Sequence, residues 1–221
     1  QDEILLNKNI QINVVGLINF LESMSQNQKR HKLFYASSSH IFGDTKSKIQ
    51  KETTEPKFNS NYALAKYLGK EVCDFYRERR NVICSTGIMY SHVSYLSNKS
   101  FLINEMINQI KNNKNIIKVL NSRSKVDLLS AKDAVEAMYK IMQLKKPDNF
   151  IISSKRLISV KDLFLELKKQ TNKDLKLVDL KKSILNKNNS LKGDNSKLKR
   201  KCKWNPKDSL SSIIEEFLNK S

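Results

Sequence analysis

Tyr62 and Lys66 lie four residues apart, a spacing that puts a phenol and an ammonium on one face of a helix. A tyrosine of ordinary pKa, about 10, is a poor base at neutrality, and a neighbouring cation favours its phenolate, moving it toward the range of a general acid/base. The same spacing recurs at Tyr95–Lys99, in a stretch that reads as a loop, and no role is assigned to it there. Three serines, Ser37 to Ser39, close the apolar run HKLFYAS, which reads as a short buried strand. Ligands of open α/β sheets bind beyond the carboxyl ends of the strands, so hydroxyls at that edge can meet a substrate.

Other chemistries find little support. The three cysteines, Cys73, Cys84 and Cys202, have no paired spacing, which argues against a disulfide framework or a cysteine-bound zinc and makes a cytoplasmic protein the expectation. The five glycines, Gly16, Gly43, Gly69, Gly87 and Gly193, form neither a G-x-G-x-x-G turn nor a P-loop. No apolar run reaches the roughly 20 residues needed to cross a bilayer, so no membrane association is expected. The 41 basic and 22 acidic residues give a net charge of +19, a field that attracts polyanions. Lysine, asparagine and isoleucine are abundant along the whole chain, so most of that charge is read as compositional. The basic segment Lys181–Lys203 lacks the interleaved aromatics of a single-strand platform, and nucleic acid is not the expected partner.

The elements that must carry Ser38, Tyr62 and Lys66 alternate. Apolar spacing gives a helix over Ile4–Met24, then the HKLFYAS strand, a polar loop from Asp44 to Asn59, and a long helix over 60–80. Strand 81–90 and a loop HVSYLSNK precede a helix over Phe101–Lys111, strand Ile116–Leu120, helix Ser130–Gln143, strand Phe150–Ser153 and helix Val160–Gln170. A weak strand, KLVDL, and a helix over Leu210–Leu218 end the chain. Strands alternating with helices of this length predict βαβ units and a mainly parallel sheet.

The ordered segments FYASSSHIFG, KETTEP, NSNYALAK, GIMYSHVS and SAKDAVEAM, with LKGDNSK and KWNP near the end, resemble the extended short-chain dehydrogenase/reductases, the NAD-dependent epimerase/dehydratase family. Among these they look most like the GDP-mannose 4,6-dehydratases, over nearly the whole chain. The resemblance implies an α/β fold: a partial Rossmann-type parallel sheet from residues 1–90 plus about 115–155, and a small C-terminal α/β substrate domain from about 91–114 and 156–221. It implies NADP or NAD as cofactor and a sugar nucleotide, most simply a GDP-hexose, as substrate. In such enzymes a hydride leaves C4 of the hexose, water is lost across C5–C6, and the hydride returns to C6, giving a 4-keto-6-deoxy sugar. Carried onto matching positions, Tyr62 takes the C4 hydroxyl proton, Lys66 holds the nicotinamide ribose and lowers the tyrosine pKa, Ser38 hydrogen-bonds the sugar hydroxyl, and His92 lies beside the cofactor. Homo-oligomers paired through the two long helices are common in the family.

The departures are specific. His40 stands where the family has the glutamate that takes the C5 proton, and the two arginines expected after His92 are replaced by Leu96 and Ser97. Val126 stands where an arginine precedes Asp127, and Ser91 where an asparagine is usual. The family's glycine-rich first turn is expected upstream of Gln1, so the 221 residues alone are expected to turn over little or nothing, with an epimerase, a reductase or a non-catalytic binding protein as alternatives. HKLFYAS is expected to lie at a sheet edge.

Overall fold

The computed structural model describes residues 5–27, 31–98, 100–180 and 190–220. The first helical segment runs as α1 (Leu6–Ile10), a π-helical turn (Gln11–Val15) and α2 (Gly16–Gln26), close to the expected span. After it come β1 (Lys32–Ser38), a 3₁₀ turn (Ser39–Phe42), α3 (Asn61–Arg79), β2 (Ile83–Met89) and β3 (Ser91–Val93). The chain continues through α4 (Leu102–Lys111), β4 (Ile116–Val119), β5 (Lys125–Ser130), α5 (Ala131–Met142), β6 (Asn149–Ile152) and β7 (Leu157–Ser159). It ends with α6 (Val160–Thr171), β8 (Lys176–Asp179), α7 (Ser196–Cys202) and α8 (Leu210–Lys220).

A parallel sheet of order β1-β2-β6 forms the first layer, with Lys32 opposite Ile83 and Ser38 opposite Met89. Among the described residues β1 has one strand neighbour and lies at the sheet edge, as expected. Leu17 and Leu21 of α2 pack with Cys73 and Tyr76 of α3 against Tyr35 and Cys84, which clamps the two long helices onto β1 and β2. Helix α3 starts where the sequence breaks from loop to periodic pattern, because the Ser60 side chain accepts the Ala63 N–H at 3.1 Å and satisfies an otherwise orphaned donor. Ser130 caps α5 in the same way, and Ser159 with Asp162 forms a capping box on α6.

Beside this layer, β3, β5 and β7 make a small mixed sheet in which β3 and β5 are parallel and β5 and β7 antiparallel. Strands β3, β5 and β7 and helix α7 were not foreseen. Three residues are too few for periodicity to register β3 or β7, and the apolar residues of β5 merge with the helical pattern that follows them.

Strand β4 pairs in parallel with β8, and its Ile117 and Val119 join a core with α4, α6 and α8. Leu198 and Trp204 are buried with Phe150, Ile152 and Ala137. The Trp204 indole N–H donates to the Asp133 carbonyl at 3.1 Å, and the Asp133 carboxylate accepts the N–H groups of Lys207 and Asp208. This fixes the end of the chain on α5. Ile4, Lys99 and residues 181–189 of the basic segment lie outside the described residues.

Candidate functional site

The carboxyl end of β1 meets the first turns of α3. The Ser37 hydroxyl donates to the Lys66 carbonyl at 3.1 Å, which ties strand to helix and fixes their relative height. Ser38, buried, caps the 3₁₀ turn by accepting the His40 N–H at 3.2 Å. The Ser38 hydroxyl also acts on the Tyr62 phenol, favouring its ionised form. The tight turn swings the His40 imidazole edge-on to the Tyr62 ring, with centroids 5.9 Å apart and planes at 87°. Behind the turn Gly43 adopts φ +32, and an added Cβ would sit 1.9 Å from the Lys57 carbonyl oxygen, so glycine is required there.

On α3 the expected four-residue spacing places Tyr62 and Lys66 side by side. The Lys66 ammonium donates to the Ala36 carbonyl at 3.0 Å and stands 5.7 Å from the centre of the Tyr62 ring. Burial pushes the Tyr62 phenol above its ordinary pKa, and the hydrogen bond from Ser38 pulls part of the way back. Burial alone pushes Lys66 down. Desolvation is the larger influence on the phenol, while the Lys66 ammonium donates to a backbone carbonyl.

His92 stands on β3, and its Nδ1–H donates to the Tyr90 carbonyl at 3.0 Å, which fixes the ring orientation. Ser38, His40, Tyr62, Lys66 and His92 all line one cleft of about 460 Å³. Its opposite wall is apolar, built from Val93, Phe101, Ile103, Val126, Leu128 and Leu163. Sequence reasoning missed this wall, because its members belong to elements the chain brings together only through β3, β5 and α4. Tyr35, beneath Lys66, was missed as well. Tyr95, of the second tyrosine–lysine pair, faces Lys220, whose ammonium is 5.0 Å from its ring centre.

Asp127, where the resemblance places an acid after Val126, is not free for chemistry. It accepts the Ser154 N–H at 2.7 Å, the Ser154 hydroxyl at 2.6 Å and the Gly193 N–H at 3.1 Å, stitching the LKGDNSK segment to the ends of β5 and β6. Gln50 does the same from the loop, accepting the Tyr90 hydroxyl at 3.1 Å and the Lys192 N–H at 2.7 Å. No cluster of three or more metal-ligating side chains, and no helix long and apolar enough to span a membrane, occurs among the described residues.

Known proteins match this arrangement in sequence and in shape. The chain is 26% identical to human GDP-mannose 4,6 dehydratase over 212 residues, covering 85% of this chain and 57% of the human protein. It is 28% identical to GDP-mannose 4,6 dehydratase 1 of Arabidopsis thaliana over 216 residues, covering 92% and 59%. The chain thus spans less than two thirds of the length of these relatives. Among solved structures, UDP-glucuronic acid 4-epimerase from Bacillus cereus, in complex with UDP-glucuronic acid and NAD, superposes with a TM-score of 0.82 at 20% identity, covering 94% of this chain and 66% of the epimerase. RMD from Pseudomonas aeruginosa, complexed with NADPH, gives 0.84 at 18% identity, covering 95% and 73%. These two likenesses show the Rossmann-type epimerase/dehydratase fold. The family model for GDP-mannose 4,6 dehydratase matches residues 7–217, and the chain belongs to that family.

Proposed function

We propose that the cleft serves proton and hydride transfer at a hydroxyl-bearing carbon of a sugar nucleotide, with a GDP-hexose as the substrate and 4,6-dehydration as the overall reaction. The observation that supports this most is the gathering of the Ser38 hydroxyl, the Tyr62 phenol and the Lys66 ammonium in one cleft, with the ammonium 5.7 Å from the phenol ring centre. The ribose end of a nicotinamide cofactor fits the phenol, ammonium and imidazole of Tyr62, Lys66 and His92. The five glycines supply no glycine-rich phosphate turn, so the fit covers that end only. When bound, such a cofactor, NAD or NADP, supplies the hydride acceptor and donor.

The chain's own residues do the rest. Ser38 binds the sugar hydroxyl and donates to the phenol oxygen, and Tyr62 accepts the hydroxyl proton. Lys66 holds the ribose and adds positive charge to the cleft edge. His40, with its ring edge-on to Tyr62, is read as the base for the C5 proton. A second reading, epimerase or reductase, is favoured by the imidazole standing in place of a carboxylate at that point. Self-association through α2 and α3 and a cytoplasmic setting, the latter supported by the free thiols of Cys73, Cys84 and Cys202, complete the proposal.

The test uses protein expressed from its full reading frame, incubated with GDP-mannose and NAD or NADP and followed by mass spectrometry. Loss of one water from the sugar nucleotide supports dehydration. Exchange of the C4 hydrogen without water loss supports the second reading. Binding of neither cofactor nor sugar nucleotide overturns both.

A further inference from the structure

Lys66 is held partly by groups outside the chemistry proposed for it. No carboxylate lies within ion-pair distance of its ammonium among the described residues. The charge is instead met by the Ala36 carbonyl at 3.0 Å and by two aromatic faces, with the ring centres of Tyr62 at 5.7 Å and Tyr35 at 5.3 Å. A cation within about 6 Å of a ring centroid is attracted by the ring's quadrupole, more strongly when water is excluded. Tyr35 is 8% exposed, so its share of this contact is the drier one.

The Tyr35 ring is itself fixed from two sides. Its hydroxyl donates to the Asn13 carbonyl at 3.4 Å, inside the π-helical turn Gln11–Val15. Gly69 of α3 makes the room, since a Cβ there would lie 2.1 Å from the Tyr35 oxygen. The π turn, a helical glycine and a tyrosine on an edge strand thus converge beneath one lysine.

We propose that Tyr35 is a positioning residue, whose ring holds the Lys66 ammonium at the cleft edge. The assignment rests on the reading of Lys66 as a functional ammonium. Because the ring and not the hydroxyl faces the cation, Tyr35→Phe keeps the contact and graded loss of ring electron density weakens it at nearly constant shape.

The experiment labels the lysines with ¹³C at Cε, assigns Lys66 by its loss in Lys66→Arg, and follows its titration by NMR in Tyr35→Phe and in proteins carrying mono-, di- and trifluorinated phenylalanine at position 35. The expected result is a Lys66 midpoint nearly unmoved in Tyr35→Phe and falling stepwise with fluorination, by about half a pH unit across the series, since a cation–π contact of about 0.5–1 kcal/mol corresponds to that shift. A midpoint that stays flat or rises across the series overturns the proposal. The fluorinated rings differ little in volume, so a folding failure does not stand in for an answer. The titration needs neither cofactor nor substrate, so its failure leaves the proposed reaction standing, and a failure to turn over sugar nucleotide leaves the titration readable.

Discussion

The Tyr62 phenol has to give and take a proton in a place whose burial favours the neutral form, and Ser38 is the group that works against that burial. Ser38→Ala removes the opposing hydrogen bond, so the Tyr62 midpoint moves further up; ultraviolet difference titration against Tyr62→Phe isolates it, and an unmoved midpoint refutes the coupling. Tyr62→Phe itself lowers turnover of the complete protein by about 10²–10⁴-fold, the range of a positioned acid/base. His40→Ala separates the two readings of function: if the imidazole takes the C5 proton, the first hydride transfer persists and water loss stops, and continued water loss makes His40 a bystander. These residues were legible because their roles depend on short spacings, a Y-x-x-x-K on a helix and serines at a strand end. Tyr35 was not, since its place under Lys66 depends on β1 lying against a π turn that no local pattern announces.

Helix α3 carries the site because both of its faces are specified: Ser60 starts it, Ala63, Ala65, Gly69 and Cys73 lie buried along it, and Tyr62 and Lys66 stand toward the cleft. Gly69 is the tightest point, with the Tyr35 oxygen 2.1 Å and the Asn13 carbonyl oxygen 3.0 Å from where a Cβ would be. Gly69→Ala raises helix propensity yet overpacks this contact, and we expect a net destabilisation of about 1–3 kcal/mol in urea unfolding. Adding Tyr35→Phe removes the nearer clashing atom and leaves the ring Cζ 2.4 Å away, so the double variant recovers part of that loss; strict additivity counts against the oxygen as the cause. At this scale the sequence showed the long helices well, because a 3.6-residue period needs only local order. It did not pair β4 with β8, which lies far along the chain, and it could not separate β5 from α5, because SKVDLLSAKDAVEAM is apolar at both strand and helix spacing.

Across the whole molecule, burial of phenols sets the response to alkali. Burial pushes Tyr35, Tyr62 and Tyr90 all upward, while in the unfolded chain each titrates near about 10. Below that pH both states keep the protons and the contribution is complete; above it the unfolded state releases protons that the folded state retains, so stability falls as pH rises. Denaturant midpoints should therefore drop steeply above about pH 10, and Tyr90→Phe, though less stable at neutrality for want of its bond to Gln50, should show a shallower drop. The outer surfaces of the same helices set the response to concentration. Ile12, Phe20 and Phe75 are 63%, 69% and 53% exposed on the first helical segment and α3, and each large apolar side chain removed from water contributes about 1.5–3 kcal/mol. Two copies meeting through these helices cover several such groups at once, against a net charge of +19 per chain that repels them at long range. Association should accordingly strengthen as salt screens the repulsion. Sedimentation equilibrium at micromolar protein should show a dimer that tightens between low and moderate salt, and Phe20→Asp with Phe75→Asp should return it to monomer. A wild-type chain that sediments as a monomer at every salt concentration would remove α2 and α3 as an interface.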